Sequence, residues 1–193
     1  MSTRGAIGFE KDGNKKITYN HFDSYPTGLG VQVAEFVRTN DIEDMRFYFD
    51  KIKMVKPDSK PSKANIQQYQ RFLDMNVSDK TPTDWYCLLR HSQGDLNVYL
   101  HGGVTHMIDN HDFLNDSLFC EWAYIVNLDN ETLDIYRGFQ LDPNDKFKYL
   151  PCKKVVTLSF YDIKKLSSIA KIESYMKIIE DTVYKNEDVE SVV

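Results

Sequence analysis

No apolar run in the 193 residues approaches the ~18 that a membrane-spanning helix requires, so no membrane partner is expected. Cysteine is scarce. Cys87, Cys120 and Cys152 are odd in number and match neither a disulfide framework nor zinc-site spacing, so reduced thiols, no metal and no other cofactor are expected. A basic excess is missing too: 24 Lys+Arg stand against 29 Asp+Glu, a formal charge of −5. Nucleic acid is therefore not an expected partner, since nonspecific binding usually needs a basic face. The opening Met1-Ser2-Thr3-Arg4-Gly5 lacks the long apolar core of a signal peptide, which predicts a cytoplasmic protein. The chain has no standard catalytic motif, internal repeat or low-complexity tract.

Aromatic residues are plentiful, with 12 Tyr and 11 Phe against 2 Trp, which is too much apolar surface for a disordered chain. The length suits one domain able to bury roughly 70% of its unfolded surface. That domain is expected over 1–185, followed by an acidic, flexible tail over 186–193.

Residues 4–22 read as a hairpin, because Asp12-Gly13 is turn chemistry between two apolar runs and glycine supplies the positive φ. In the return strand Ile17, Tyr19 and His21 share one face, and Thr18, Asn20 and Phe22 the other. Helices follow at about 30–39, from Asp41 through Met54, at 64–75, and from Thr83 or Asp84 across Leu100, with Gly94 interrupting the last. After a loop over 101–116, Leu118–Leu128 and Thr132–Phe139 form a second hairpin, and Lys154–Tyr161 a fifth strand. Asp162 opens a terminal helix with Ile163, Leu166, Ile169, Ile172, Met176, Ile179 and Val183 as its apolar stripe. This order predicts an α+β domain whose largely antiparallel sheet is built from two hairpins plus one further strand and layered by helices.

The chemistry concentrates in residues 18–30. His21 and Asp23, two apart in an extended segment, would point to the same side, where the carboxylate would orient the imidazole for general-base work or metal ligation. The plainer reading is that Asn20, Asp23 and Ser24 cap the strand exit while Pro26 and Gly28 steer the chain onward. Arg4 would clamp a carboxylate or phosphate, or else pair with Asp23 or Glu121. Glu121, entering an apolar strand, is a candidate distant partner whose pKa burial would raise. Cys87, Arg90 and His91 lie at helical spacing, with Ser92 and Gln93 beside them; Cys87 reads more readily as a small core hydrophobe than as a nucleophile. His101, His106 and His111, with Asp109 and Asp112, are spaced for a polar loop rather than a metal site. The lysines at 146, 148, 153, 154, 164 and 165 read as a solvated face.

Ser2-Thr3-Arg4-Gly5-Ala6-Ile7-Gly8-Phe9, then Tyr19-Asn20-His21-Phe22-Asp23-Ser24-Tyr25-Pro26 and Glu121-Trp122-Ala123-Tyr124, resemble a family of uncharacterised proteins from phages and their bacterial hosts. That resemblance implies a phage or prophage origin and work in the host cytoplasm. The layout is also similar to the N-terminal-nucleophile hydrolases, which implies an αββα sandwich. Removal of Met1 would then free Ser2, whose own amine would serve as base for its hydroxyl. Arg4 and Asp23 would support it, and Asn20 would help form an oxyanion hole. The chain departs from that pattern in lacking the common Cys nucleophile and in carrying Asn20-His21-Phe22-Asp23 in place of Arg-Asn-x-Asp. Two functions are therefore expected to compete. One is an amide-bond hydrolase using Ser2, Arg4, Asn20, His21 and Asp23. The other is a noncatalytic phage-encoded binder in which Ser24, Tyr25 and Glu121 help to hold a small-molecule ligand or a host protein.

Overall fold

The computed structural model describes residues 3–77, 82 and 84–190. The chain opens with strand β1 (Gly5–Lys11), which Asp12 and Gly13 turn into β2 (Asn14–Asn20). Both turn residues have positive φ, 51° and 69°, the backbone whose twist matches paired strands. A π-helical turn over Pro26–Gly30 leads into α1 (Val31–Thr39). The Asp41 side chain accepts a hydrogen bond from the Glu43 N–H and so starts α2 (Ile42–Lys51). Next come the short β3 (Lys53–Val55) and α3 (Lys63–Tyr69), the latter begun by a Ser62–Asn65 capping box.

The fourth helix expected from the sequence is broken. It becomes α4 (Trp85–Leu88), capped by Asp84, a 3-10 turn over Arg90–Ser92, and α5 (Asn97–Leu100). Thr83, the alternative cap, lies outside the described residues. The expected loop over 101–116 contains β4 (His106–Ile108), which pairs in parallel with β3. The remaining strands are β5 (Trp122–Asn127), β6 (Thr132–Arg137), β7 (Leu141–Asp142), β8 (Asp145–Tyr149) and β9 (Lys153–Ser159). The helix expected from Asp162 starts earlier and divides in two. Ser159 caps α6 (Phe160–Lys165), and α7 runs from Ile169 to Glu190. Helix thus continues past Asn186, where the sequence suggested a tail; residues 191–193 lie outside the described residues.

The principal sheet has the order β2-β1-β5-β6-β9, antiparallel except for the central β1–β5 pair. It is an α+β fold of the expected class. The αββα sandwich implied by the hydrolase resemblance is not adopted: among the described residues only the two-stranded ladders β3–β4 and β7–β8 accompany the one large sheet. Alternation along the central strands sorts the core. Ile7, Phe9, Trp122, Tyr124 and Val126 face the helices, where Val33, Phe36, Ile172, Met176 and Ile179 bury against them. Ala6, Ile17, Ala123 and Ile125 face the other way, under Phe113 and Leu114. With β5 buried on both faces, the β1–β5 centre is the rigid part of the molecule, and β2 carries the polar segment at one side of it. Among the described residues no helix is long and apolar enough to cross a membrane.

Candidate functional site

The end of β2 is fixed from below by buried polar contacts. Asn20 sits on the helix-facing side with Thr18, and its amide donates to Ser24 Oγ at 2.7 Å and to the Phe22 carbonyl. Ser24 is wholly buried; its N–H donates to the Thr3 carbonyl at 3.2 Å, and its own carbonyl accepts from the Tyr124 hydroxyl at 2.8 Å. Asp23 takes a left-handed conformation with φ 50°, and its carbonyl accepts the Leu29 N–H at 2.8 Å. These contacts turn the strand into the π-helical segment, and they use Asn20 and Ser24 as structural members.

The opposite side of the strand end opens into a cleft of about 350 Å³ lined by Asn20, His21, Phe22, Asp74, Arg90, His91 and Gln93. Here the segment read as rich in chemistry meets the Arg90–Gln93 turn, 70 residues away in sequence. His21 Nε2 lies 2.6 Å from Gln93 Oε1, so that nitrogen carries the proton and Nδ1 is left as an acceptor. The ring packs at 4.4 Å from Tyr19, which itself lies 4.8 Å from Phe113. Burial, and then the Arg90 charge, lower the His21 pKa to about 4, so the imidazole is neutral at pH 7. The Arg90 guanidinium lies over Tyr86, 5.4 Å from the ring centroid. Its Nη1 is buried and has no hydrogen-bond partner among the described residues. Asp74 faces His91 at 3.8 Å, and Phe22, 62% exposed, forms an apolar lip.

Gly94 sets how closely the two segments approach. It has φ +87°, and a Cβ there would lie 2.2 Å from Asn20 Oδ1. Gly94 thus lets the turn carrying Gln93 close on β2.

The structure does not bring the other expected residues together as a catalytic group. His21 and Asp23 share no hydrogen bond: His21 engages Gln93, while the exposed Asp23 carboxylate stands beside the Tyr25 phenol and raises its pKa. Arg4 turns to Phe119, 5.1 Å away, and to the Tyr19 phenol; among the described residues it makes no ion pair with Asp23. Glu121 Oε1 accepts the Arg4 N–H at 3.3 Å, so the contact between these two residues is through the Arg4 backbone. Ser2 lies outside the described residues. Cys87 is buried, with its thiol 3.1 Å from the Asp74 carbonyl. The three loop histidines go separate ways: His101 to Asn40, His106 to Tyr69 and a stack on Trp85, His111 to Asp109. Among the described residues no group of three or more His, Cys, Asp or Glu side chains is placed to hold a metal ion.

Asp74 is the cleft residue that the sequence reading did not name, and Gln93 was named only beside Cys87, Arg90 and His91, not as a partner of His21. The available signal was Ser92-Gln93-Gly94-Asp95, a polar break between apolar helical positions. No protein family, curated protein or solved structure matches this chain.

Proposed function

We propose that the chain is a noncatalytic binder that captures a small anionic molecule in the cleft between the end of β2 and the Arg90–Gln93 turn. The observation that carries this reading is the Arg90 guanidinium, which lines the cleft and makes no ion pair among the described residues. A guanidinium at a cleft wall with no carboxylate partner is open to a charge-assisted hydrogen bond from its N–H groups to a ligand carboxylate or phosphate oxygen. The surroundings suit recognition better than catalysis. His21 is neutral, with one nitrogen engaged by Gln93 and no carboxylate orienting it, so it offers an acceptor at Nδ1 and little strength as a base. Phe22 supplies an apolar wall for the rest of the ligand. This arrangement supports a protein that sequesters a small metabolite. The amide-hydrolase reading draws less from the geometry, because Arg4 and Asp23 turn to different neighbours.

Calorimetric titration with inorganic phosphate, succinate and adenosine monophosphate tests the proposal. At least one probe should bind the wild-type chain, and Arg90→Gln should weaken it by about tenfold or more, the loss of one charged hydrogen bond. Failure of all three probes at millimolar concentration, or equal binding by a folded Arg90→Gln variant, overturns it.

A further inference from the structure

On the face of the sheet away from the helices, two of the three cysteines meet. Cys120 lies just before β5 and Cys152 immediately before β9, two strands that β6 separates in the sheet. They approach one another past the end of β6 because residue 138 is glycine: a Cβ there would stand 2.0 Å from the Cys120 carbonyl oxygen. Cys152 Sγ is 3.3 Å from that same oxygen, and the Cys152 N–H donates to the Leu114 carbonyl at 2.8 Å, which holds the residue in place. The Cys152 thiol donates to the Cys120 carbonyl and the Cys120 thiol to the Trp122 carbonyl at 3.7 Å, and both residues pack in the same cluster beneath the sheet. Cys120 is fully buried, whereas Cys152 is partly open to solvent.

We propose that Cys120 and Cys152 form a redox modification site, a dithiol that a low-molecular-weight disulfide such as oxidised glutathione converts to an intrachain disulfide. Cys152 is the entry point. It is the accessible sulfur, and the neighbouring Cys120 side chain lowers its pKa, while the same pairing and then burial push the Cys120 thiol far up. The Cys152 thiolate attacks the glutathione disulfide, forming a mixed disulfide and releasing one glutathione thiolate. Cys120 then loses its proton and attacks the Cys152 sulfur, expelling the second glutathione. Two protein thiols are oxidised and one glutathione disulfide is reduced to two thiols, so electrons and protons balance. With Cys152 Sγ 3.3 Å from the Cys120 carbonyl oxygen, side-chain rotation and a small backbone adjustment bring the sulfurs to the ~2.0 Å bond length. The product ties the entry of β5 to the entry of β9. Cys87 takes no part, since it is buried elsewhere against Asp74.

The test is incubation of the native chain with oxidised glutathione at pH 8, followed by thiol counting in denaturant and peptide mass mapping. The three thiols of the reduced chain should fall to one, with a linked Cys120–Cys152 peptide that reductant reverses. Cys87→Ser should oxidise like the wild type. Cys120→Ser should stop at a stable glutathione adduct on Cys152, and Cys152→Ser should form neither adduct nor disulfide. Three thiols persisting in the wild type, a bond that includes Cys87, or only intermolecular bonds would each overturn the proposal. Circular dichroism of each variant confirms that it is folded, so a negative result reports on the chemistry.

Discussion

His21 shows how one imidazole can shape the site and the stability together. Its folded pKa of about 4 lies below the ordinary value of 6.5, because burial and Arg90 disfavour the charged ring. Above pH 6.5 the ring is neutral in both states and favours neither. As pH falls from 6.5 towards 4, the unfolded chain takes up the proton first, so stability falls through that window and the loss is complete below it. After discounting for solvent screening of this half-buried ring, the loss should be about 1–2 kcal/mol. His106, whose pKa is also lowered by burial, adds a slope of the same sign. The measurement is therefore the difference between wild type and His21→Gln in urea unfolding at pH 7 and pH 4.5; equal pH dependence in the two would show that the ring is not held neutral by the fold. His21 was legible as a candidate from its position at the end of an alternating strand. Its partner was not, because a hydrogen bond to Gln93 depends on a backbone reversal at Gly94 that local periodicity does not encode.

At the scale of elements, Arg137 holds the end of α7 to the sheet. Its guanidinium is buried among Trp122, Phe139 and Tyr184, donates to the Glu121 carbonyl at 3.0 Å, and pairs with Glu187 at 2.6 Å. This contact accounts for helix where acidic composition alone suggested a flexible tail: Glu187 has a fixed cation to meet. Glu187→Ala leaves that cation with a single backbone acceptor and should cost about 2 kcal/mol. Hydrogen exchange should accelerate over the last turns of α7 and remain unchanged in β5. Unaltered protection there would mean that packing, not the ion pair, orders the helix end. The five strands of the principal sheet were readable because each is a run of alternating or wholly apolar residues bounded by turn chemistry. The two-stranded β3–β4 ladder was not, since three-residue strands such as Lys53–Val55 and His106–Ile108 are too short to show a period and owe their form to each other. The break between α6 and α7 was equally hidden: Ile163 to Val183 keeps helical spacing across Ser167 and Ser168, where the chain is not helical.

The whole molecule is organised by the parallel β1–β5 pair, which joins Gly5 to Trp122 and makes both halves of the chain depend on one another. Neither hairpin buries its apolar faces without the other, so the fold should unfold as one unit. The two tryptophans make this measurable. Trp85 stacks on His106 at 4.7 Å, beside the small β3–β4 ladder, while Trp122 lies within the principal sheet. In Trp85→Phe the remaining fluorescence reports on the sheet; in Trp122→Phe it reports on the ladder. The second exchange removes no hydrogen bond seen among the described residues, because Trp122 Nε1 is buried without a partner there. Each variant should lose about 1–2 kcal/mol from reduced packing. Within each, however, fluorescence and far-ultraviolet circular dichroism should give the same thermal midpoint. Separate midpoints would divide the chain into two cooperative regions. They would also make the cleft a junction between them, since its walls, β2 and the Arg90–Gln93 turn, come from the sheet on one side and from the ladder's neighbours on the other.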